Sequence, residues 1–263
     1  MQEKKNLRII SSKKPRHILP NIITLIGVCL GISSIKFSLD GNYNLSVIFI
    51  ILAAVLDALD GRIARLIKGT SDFGKELDSL TDFVSFGIAP AFIIYFWELK
   101  NYGKIGWAIT LIYSVCCVLR LARFNLTKID EKESWKVNFF QGIPAPAGGI
   151  LILLPLIYEL SNFNNSFNLK IISPYLVVFI AMLLISKLPT FSFKKISIKP
   201  KMTIFILFGI GVIFVSLIFF TFKSLFILSL IYFLSLPISL ISFNKNKKNN
   251  NNFLVEDDHE DIL

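Results

Sequence analysis

Residues 57–82 read DALDGRIARLIKGTSDFGKELDSLTD, a polar stretch between apolar ones. Four of its five aspartates, Asp57, Asp60, Asp78 and Asp82, lie at or just inside the ends of two strongly apolar segments. A charged side chain at the centre of a membrane helix costs roughly 2.5–3.5 kcal/mol on insertion scales. Four carboxylates in such places need compensation, which marks this stretch as the predicted functional site.

The composition around this stretch is that of a polytopic membrane protein. Of 263 residues, 54% are hydrophobic and 25 are Phe, and the mean hydropathy is +0.64. These values exceed those of soluble domains. Apolar runs of about 17–25 residues predict an all-α fold of about eight transmembrane helices. They lie near residues 19–39, 45–66, 77–97, 105–124, 144–161, 172–189, 202–221 and 224–243.

Four segments are predicted along the chain. Residues 1–18 form a basic leader at the cytoplasmic interface, and residues 19–190 form the catalytic transmembrane core. Residues 191–243 hold a basic loop and a C-terminal helical hairpin, and residues 244–263 form a disordered tail, because they lack apolar periodicity. The first apolar run is longer than the core of a signal peptide, which predicts a retained span.

The net charge of +10 is distributed unevenly across the predicted membrane. With the N-terminus inside, most Lys and Arg residues fall in cytoplasmic segments, which fits the positive-inside rule. This distribution predicts a multi-pass protein of the inner (cell) membrane, with both termini and all four aspartates on the cytoplasmic side. It also favours a lipid bilayer over nucleic acid as the partner of the basic residues. The outer side and the span ends hold only Lys36, Lys100, Lys104, Lys170 and Lys223.

Cysteine and histidine chemistry is not indicated by the positions of these residues. Cys29, Cys116 and Cys117 fall inside predicted spans without metal-binding spacing, which is typical of small packing residues. His17 and His259 lie in the polar ends. A histidine-based catalytic triad inside the membrane is therefore excluded.

Helical periodicity places the small and acidic residues of the second span on one face. Asp57, Asp60, Gly61 and Ala64 fall within roughly a 100° arc, with Arg65 at its edge. Gly and Ala keep this face shallow, so that a ligand or another backbone can approach closely.

On the next helix, Asp78 and Asp82 are spaced i and i+4 and share a face. A short connecting loop lets the two acidic faces converge near the cytoplasmic interface. Ionised carboxylates at such distances require shared protons or divalent cations, and an all-oxygen site suits Mg²⁺ or Mn²⁺. Two other readings remain open: a proton relay of a transporter, and interfacial salt bridges to Arg62, Arg65, Lys68 and Lys75.

The pattern D-x2-D-G-x2-A-R-x8-G-x3-D-x3-D, from Asp57 to Asp82, resembles the signature of the CDP-alcohol phosphatidyltransferases. The resemblance implies an integral-membrane enzyme with a six-helix core, beyond which this chain has its C-terminal hairpin. It implies transfer of a phosphatidyl group from a CDP-linked lipid to an alcohol, with release of CMP. It also implies a divalent cation, Mg²⁺ or Mn²⁺, with two ions expected at the site, and it allows a homodimer.

The resemblance also assigns roles to individual residues. Asp57, Asp60 and Asp78 match metal ligands, and Asp82 matches the general base, with a metal contact as well. The remaining matches are to the CDP-diacylglycerol site: Gly61, Ala64, Arg65, Ser71, Gly74, Asn21 and Thr24.

Three stretches resemble the branch of the family that uses L-serine and forms phosphatidylserine: residues 13–21, residues 78–90, and residues 120–125 followed by 140–146. Serine carries a carboxylate that a guanidinium can hold, which suggests Arg120 or Arg123. Asn125 and Gln141 are candidates for its ammonium or hydroxyl. The alternatives are ordinary snorkelling of the two arginines and another acceptor, glycerol 3-phosphate or choline.

Overall fold

The structure, a computed structural model, describes residues 18–67, 69, 71–126, 139–163, 168–186, 188–191 and 203–260. These residues are overwhelmingly helical, which confirms the all-α prediction for the body of the protein. The first five α-helices are α1 Ile18–Leu39, α2 Tyr43–Leu66, α3 Asp72–Asp82, α4 Ala89–Trp97 and α5 Gly103–Leu126. The others are α6 Ala145–Ile152, α7 Leu154–Leu160, α8 Ser173–Ile185, α9 Thr203–Phe219 and α10 Thr221–Glu260.

Four helical stretches of the described chain are long and apolar enough to cross a membrane. They are Ile18–Leu39, Asp72–Trp97, Leu99–Leu126 and Thr221–Ser239. Ser173–Ile185 and Leu207–Phe219 are shorter apolar helices. The all-helical membrane architecture thus agrees with the sequence, whereas the total of eight spans stays a prediction.

The predicted fifth span, residues 144–161, is divided into α6 and α7 at Leu153. Pro155 follows at the second position of α7, where its missing N–H costs no helical hydrogen bond. The loop before α6 also contributes to a two-stranded antiparallel sheet, in which β1 (Phe139–Gln141) pairs with β2 (Pro189–Phe191). Sequence periodicity could not predict strands of three residues, since alternation needs a longer run to be visible.

The first two helices form a hairpin that supports the site. The turn between them contains Gly41 at a φ of 76°, and the side chain of Asn42 caps α2 by accepting from the Leu45 backbone N–H. Within the hairpin, Ser46 Oγ donates to the Ser34 carbonyl at 2.7 Å. Small and hydroxyl-bearing residues of this kind bring membrane helices into close contact.

A π-helix, Phe83–Ile88, directly follows Asp82 and joins α3 to α4. Single π-turns within α-helices displace backbone carbonyls from their usual partners and occur often at functional sites. Here the Phe86 carbonyl accepts a hydrogen bond from the Tyr113 hydroxyl of α5 at 2.9 Å. On the α1 side, Ser85 Oγ donates to the Gly27 carbonyl at 3.2 Å. The π-helix is thereby held between α1 and α5.

The backbone of α10 is helical through Glu260, which differs from the disordered tail expected for residues 244–263. A helix that has already formed can extend through polar residues, because elongation avoids the cost of nucleation. The leader lies outside the described residues except for Ile18, and so does most of the basic loop. The division of the chain into four segments stays a prediction.

The contact between α1 and the π-helix can be tested at Gly31. A methyl group there would lie 2.8 Å from Ser85 Oγ and 3.0 Å from Ser85 Cα, and such overpacking costs about 1–3 kcal/mol. We therefore expect Gly31→Ala to lower the thermal unfolding midpoint in detergent by several degrees. Gly211→Ala is the matched control, since nothing lies within 4 Å of that site in α9. Equal shifts for the two variants would contradict the close packing of α1.

Candidate active site

Three of the four aspartates meet in a compact cluster. Asp57 and Asp60 project from the last turns of α2, and Asp78 projects from α3. One carboxylate oxygen from each lies within 4.8 Å of the others. Asp60 is buried, whereas Asp57 and Asp78 are half-buried. Three oxygen ligands at this spacing could hold a divalent cation, for which carboxylates are the preferred protein ligands.

Asp82 extends the cluster on its buried side. Its carboxyl group lies within hydrogen-bonding reach of Asp57, which also reaches Asp78. Asp82 Oδ1 is buried and has no hydrogen-bond partner in the described structure. It is not among the three carboxylates grouped by the 4.8 Å spacing. This oxygen is therefore available to a ligand that the chain itself does not supply.

The basic side chains of α2 and α3 do not form salt bridges with the cluster in the described part of the chain. Lys75 pairs instead with exposed Asp72 at 3.1 Å, and Arg65 Nε donates to the Gly61 carbonyl at 3.0 Å. None of the four aspartates forms a salt bridge with another described residue. The alternative of interfacial salt bridges therefore finds no support among these residues.

Thr24 fixes the orientation of Asp60. Its hydroxyl lies 2.6 Å from Asp60 Oδ2 and 3.0 Å from the Pro20 carbonyl. One hydroxyl proton serves one of these acceptors at a time, and the carboxylate is the stronger and closer one. The first helix thus supplies a partner to a potential metal ligand, which is how outer residues orient metal-binding carboxylates.

The start of α3 lies against the start of α1. Ser71 caps α3 by accepting a hydrogen bond from the Gly74 backbone N–H at 3.0 Å. A Cβ atom on Gly74 would lie 3.2 Å from both Ser71 Oγ and Asn21 Oδ1. The predicted nucleotide-side residues Asn21, Ser71 and Gly74 therefore converge, and a larger residue at position 74 would crowd both neighbouring side chains.

Gly61, Ala64 and Arg65 lie along the end of α2, beyond the aspartates. Gly61 is exposed, and a Cβ atom added to it would have no other atom within 4 Å. Ala64 is half-buried, and Arg65 is exposed. This small-residue surface beside an arginine can admit a phosphate-bearing ligand, as the shallow helix face predicts.

Arg120 of α5 lies on the opposite side of Asp82. Its side chain is buried, with 9% of the residue exposed, and its guanidinium interacts electrostatically with Asp82 and with Tyr232 of α10. The guanidinium carbon lies 5.6 Å from the centre of the Phe124 ring. The sequence alone does not indicate that Tyr232 lies near the site, because a tyrosine in an apolar run resembles any lipid-facing aromatic residue.

Two of the other predicted acceptor residues, Arg123 and Asn125, form hydrogen bonds to groups other than Asp82. Arg123 Nη1 donates to the Ile185 carbonyl at the end of α8, at 2.5 Å. Asn125 is exposed and exchanges hydrogen bonds with Ser79. The side chain of Gln141 lies outside the described residues. Among the acceptor candidates whose side chains the structure describes, Arg120 is the one whose surroundings fit a ligand near Asp82.

Comparison with known proteins agrees with this geometry. The family model for CDP-alcohol phosphatidyltransferases matches residues 17–184, which include all four aspartates and Arg120. The chain belongs to this family. The metal-binding geometry fits a CDP-alcohol phosphatidyltransferase, and the resemblance of the aspartate pattern is confirmed. Helices α9 and α10 lie beyond the matched residues.

Relatives of known name carry the same family chemistry. A CDP-diacylglycerol–serine O-phosphatidyltransferase of Mycobacterium leprae is 39% identical over 188 residues, covering 70% of this chain and 61% of that protein. The protein of the same name in Helicobacter pylori is 32% identical over 237 residues, or 89% of this chain and 98% of that protein. An archaetidylserine synthase of Methanothermobacter thermautotrophicus is 31% identical over 173 residues. The matched region thus spans less than two thirds of the mycobacterial relative.

The Thr24–Asp60 contact predicts a dependence of metal binding on the first helix. Thr24→Val removes the hydroxyl at nearly constant volume, and we expect Mn²⁺ affinity to fall about tenfold, as with other residues that orient metal ligands. Thr24→Ser should restore the affinity. Electron paramagnetic resonance of the purified protein in detergent, titrated with Mn²⁺, measures the effect.

The control for this change is Thr110→Val, since that buried threonine of α5 bonds only within its own helix, to the Gly106 carbonyl at 2.9 Å. Its Mn²⁺ affinity should match that of the unmodified chain. The proposed orienting role of Thr24 would be wrong if both valine variants bound Mn²⁺ equally well.

Proposed function

We propose that this chain transfers a phosphatidyl group from CDP-diacylglycerol to L-serine, forming phosphatidylserine and CMP. The observation that carries the proposal is the cluster of Asp57, Asp60 and Asp78 within 4.8 Å, beside which Asp82 interacts electrostatically with buried Arg120. Family membership supports the phosphatidyl transfer. The names of the mycobacterial and Helicobacter relatives support serine as the acceptor.

Asp57, Asp60 and Asp78 would hold divalent cations, Mg²⁺ or Mn²⁺, and two ions suit the reaction. Bound cations neutralise the pyrophosphate of the CDP-lipid and stabilise the departing CMP. The residues fit such ions because the donor set is all oxygen and the described structure contains no salt bridge to these aspartates. Thr24 holds Asp60 in place for this purpose.

On the lipid-nucleotide side, the chain positions the CDP moiety. Arg65 presents a guanidinium beside the open surface at Gly61, which suits a phosphate oxygen. Ser71, Gly74 and Asn21 would line the same ligand near the start of α3, together with Ala64. Positioning is the main contribution that a protein makes to phosphoryl-type transfer.

On the acceptor side, Asp82 would take the proton of the serine hydroxyl as its oxygen attacks phosphorus. Its buried and unpartnered Oδ1 is suited to receive a hydroxyl group. Asp82 could also touch a cation through its second oxygen, which lies toward Asp57. Arg120, whose charge reaches Asp82, would hold the serine carboxylate.

The location of the protein completes the proposal. The lysine and arginine distribution favours an inner membrane protein with the active site and both termini on the cytoplasmic side. Serine and CMP would then exchange with the cytoplasm while the lipid stays in the bilayer. A homodimer, as the resemblance allows, is part of the same proposal.

An acceptor screen tests the function. The full chain, purified in detergent with CDP-diacylglycerol and Mn²⁺ or Mg²⁺, should release CMP when L-serine is added. Release should be much lower with glycerol 3-phosphate, choline or inositol, and chelation of the metal should abolish it. CMP release with glycerol 3-phosphate or choline, but not serine, would replace the acceptor and keep the chemistry. If no alcohol released CMP, the proposal of an enzyme would be wrong, and the result would favour the alternative of a transporter.

The division of labour among the aspartates gives a second test. Asp82→Asn should reduce turnover about 10²–10⁴-fold, the usual contribution of a general base, while leaving binding of the CDP-lipid largely intact. Asp57→Asn and Asp78→Asn should weaken metal-dependent binding itself. Single-turnover CMP release and equilibrium binding of labelled CDP-diacylglycerol separate the two effects.

Asp72→Asn is the matched control, because Asp72 lies on the same helix with a fully exposed side chain. It should keep both binding and turnover. Near-normal turnover of Asp82→Asn would show that Asp82 is not the base.

A further inference from the structure

The hydroxyl of Tyr232 is a buried donor for which the described chain provides no acceptor. Its side chain packs against the hydrophobic core, and its oxygen is buried without a hydrogen-bond partner. A buried hydroxyl left unpaired costs about 1–3 kcal/mol, and buried tyrosines usually find a partner. Tyr232 lies on α10, beyond the residues 17–184 that match the family model.

The guanidinium of Arg120 is also buried without a hydrogen-bond partner among the described residues. Arg120 is 9% exposed, and within the described residues it forms neither a salt bridge nor a hydrogen bond; its direct contact is the Phe124 ring. Leaving a buried charge unpaired costs several kcal/mol. The planar fork of arginine matches a carboxylate better than any other protein ligand does.

These two donors and Asp82 come from three helices, and Arg120 interacts with both of the others. Arg120 of α5 interacts electrostatically with both Asp82 and Tyr232. Helix α10 reaches this position by packing against α6, α7 and β2. Of the two groups with which Arg120 interacts, Asp82 has an unpaired acceptor oxygen and Tyr232 has an unpaired hydroxyl donor.

We propose that Tyr232 and Arg120 together bind the carboxylate of the acceptor, so that the last helix selects an alcohol that carries this group. The inference rests on the proposed function and deepens it. The acceptor hydroxyl points to Asp82, and the two carboxylate oxygens receive donors from Arg120 and from the Tyr232 hydroxyl. Asp82 Oδ1, the Arg120 guanidinium and the Tyr232 hydroxyl then each have a partner.

Tyr232→Phe removes this donor and keeps the ring that packs on the core. A lost hydrogen bond to a charged group predicts a rise of about tenfold or more in the KM for L-serine, with the KM for CDP-diacylglycerol changed less than about twofold. The ratio of kcat/KM for L-serine to kcat/KM for L-serinamide, which lacks the carboxylate, should fall by the same factor. In detergent with CDP and Mn²⁺, serine should raise the thermal unfolding midpoint of the unmodified chain. For Tyr232→Phe, this rise should saturate at a correspondingly higher serine concentration.

Tyr175→Phe is the control, because Tyr175 of α8 is 74% exposed and lies away from these groups. It should change none of the four readouts. The inference is overturned if Tyr232→Phe leaves the KM for serine unchanged, or if it slows serine and serinamide equally. In both cases serine-dependent CMP release by the unmodified chain would still uphold the proposed function. Absence of that release would defeat the function, and this inference with it.

Discussion

Mutual repulsion among four carboxylates in an apolar body is the constraint on which the site depends. Two like charges about 4 Å apart repel by roughly 4 kcal/mol at an effective dielectric of 20. Asp57, Asp60 and Asp78 lie at comparable spacing, and the nearby bases of the described chain form other contacts. Cations from solution are the counter-charge that this arrangement can accept without moving a helix. The helix pairing that forces the acids together is therefore also what creates the affinity for metal.

Polar groups in this region fall into two kinds, and the difference separates scaffold from site. The Tyr113 hydroxyl, Ser46 and Ser85 bond to backbone carbonyls and hold helices together. By contrast, Asp82 Oδ1 and the Tyr232 hydroxyl are buried without partners. Buried polar groups in folded proteins are nearly always paired. Unpaired groups gathered around one charged residue are best explained by a ligand that completes them.

Sequence periodicity was sufficient for the part of the site that lies on two adjacent helices. The i, i+3 spacing of Asp57 and Asp60 and the i, i+4 spacing of Asp78 and Asp82 each define a face, and a short loop allows few ways to pair those faces. Such reasoning could not separate Arg120 from Arg123. They are one helical turn apart at the same end of α5, and only the packing of α8 shows that Arg123 donates to the Ile185 carbonyl.

The same limit applies to contacts between distant segments. Thr24 and Asp60 are far apart in the chain, and their hydrogen bond depends on how α1 packs on α2. The π-helix after Asp82 and the break at Leu153 depend likewise on neighbours that stabilise non-standard backbone. Local pattern identifies which residues are chemically unusual, whereas tertiary packing decides which of them meet.

The arrangement also separates the reaction from the choice of acceptor. The metal and nucleotide side is built by α1, α2 and α3, all within the residues that match the family model. The proposed acceptor side is formed by Arg120 of α5 and by Tyr232 of α10, and α10 lies outside that match. The Helicobacter relative nevertheless matches 89% of this chain, which is too long a match to stop at residue 184. Transfer requires cations and a base whatever the acceptor, whereas only some acceptors carry a carboxylate. A helix outside the family match can therefore be retained if it recognises the acceptor alcohol, even though the common transfer chemistry does not require it.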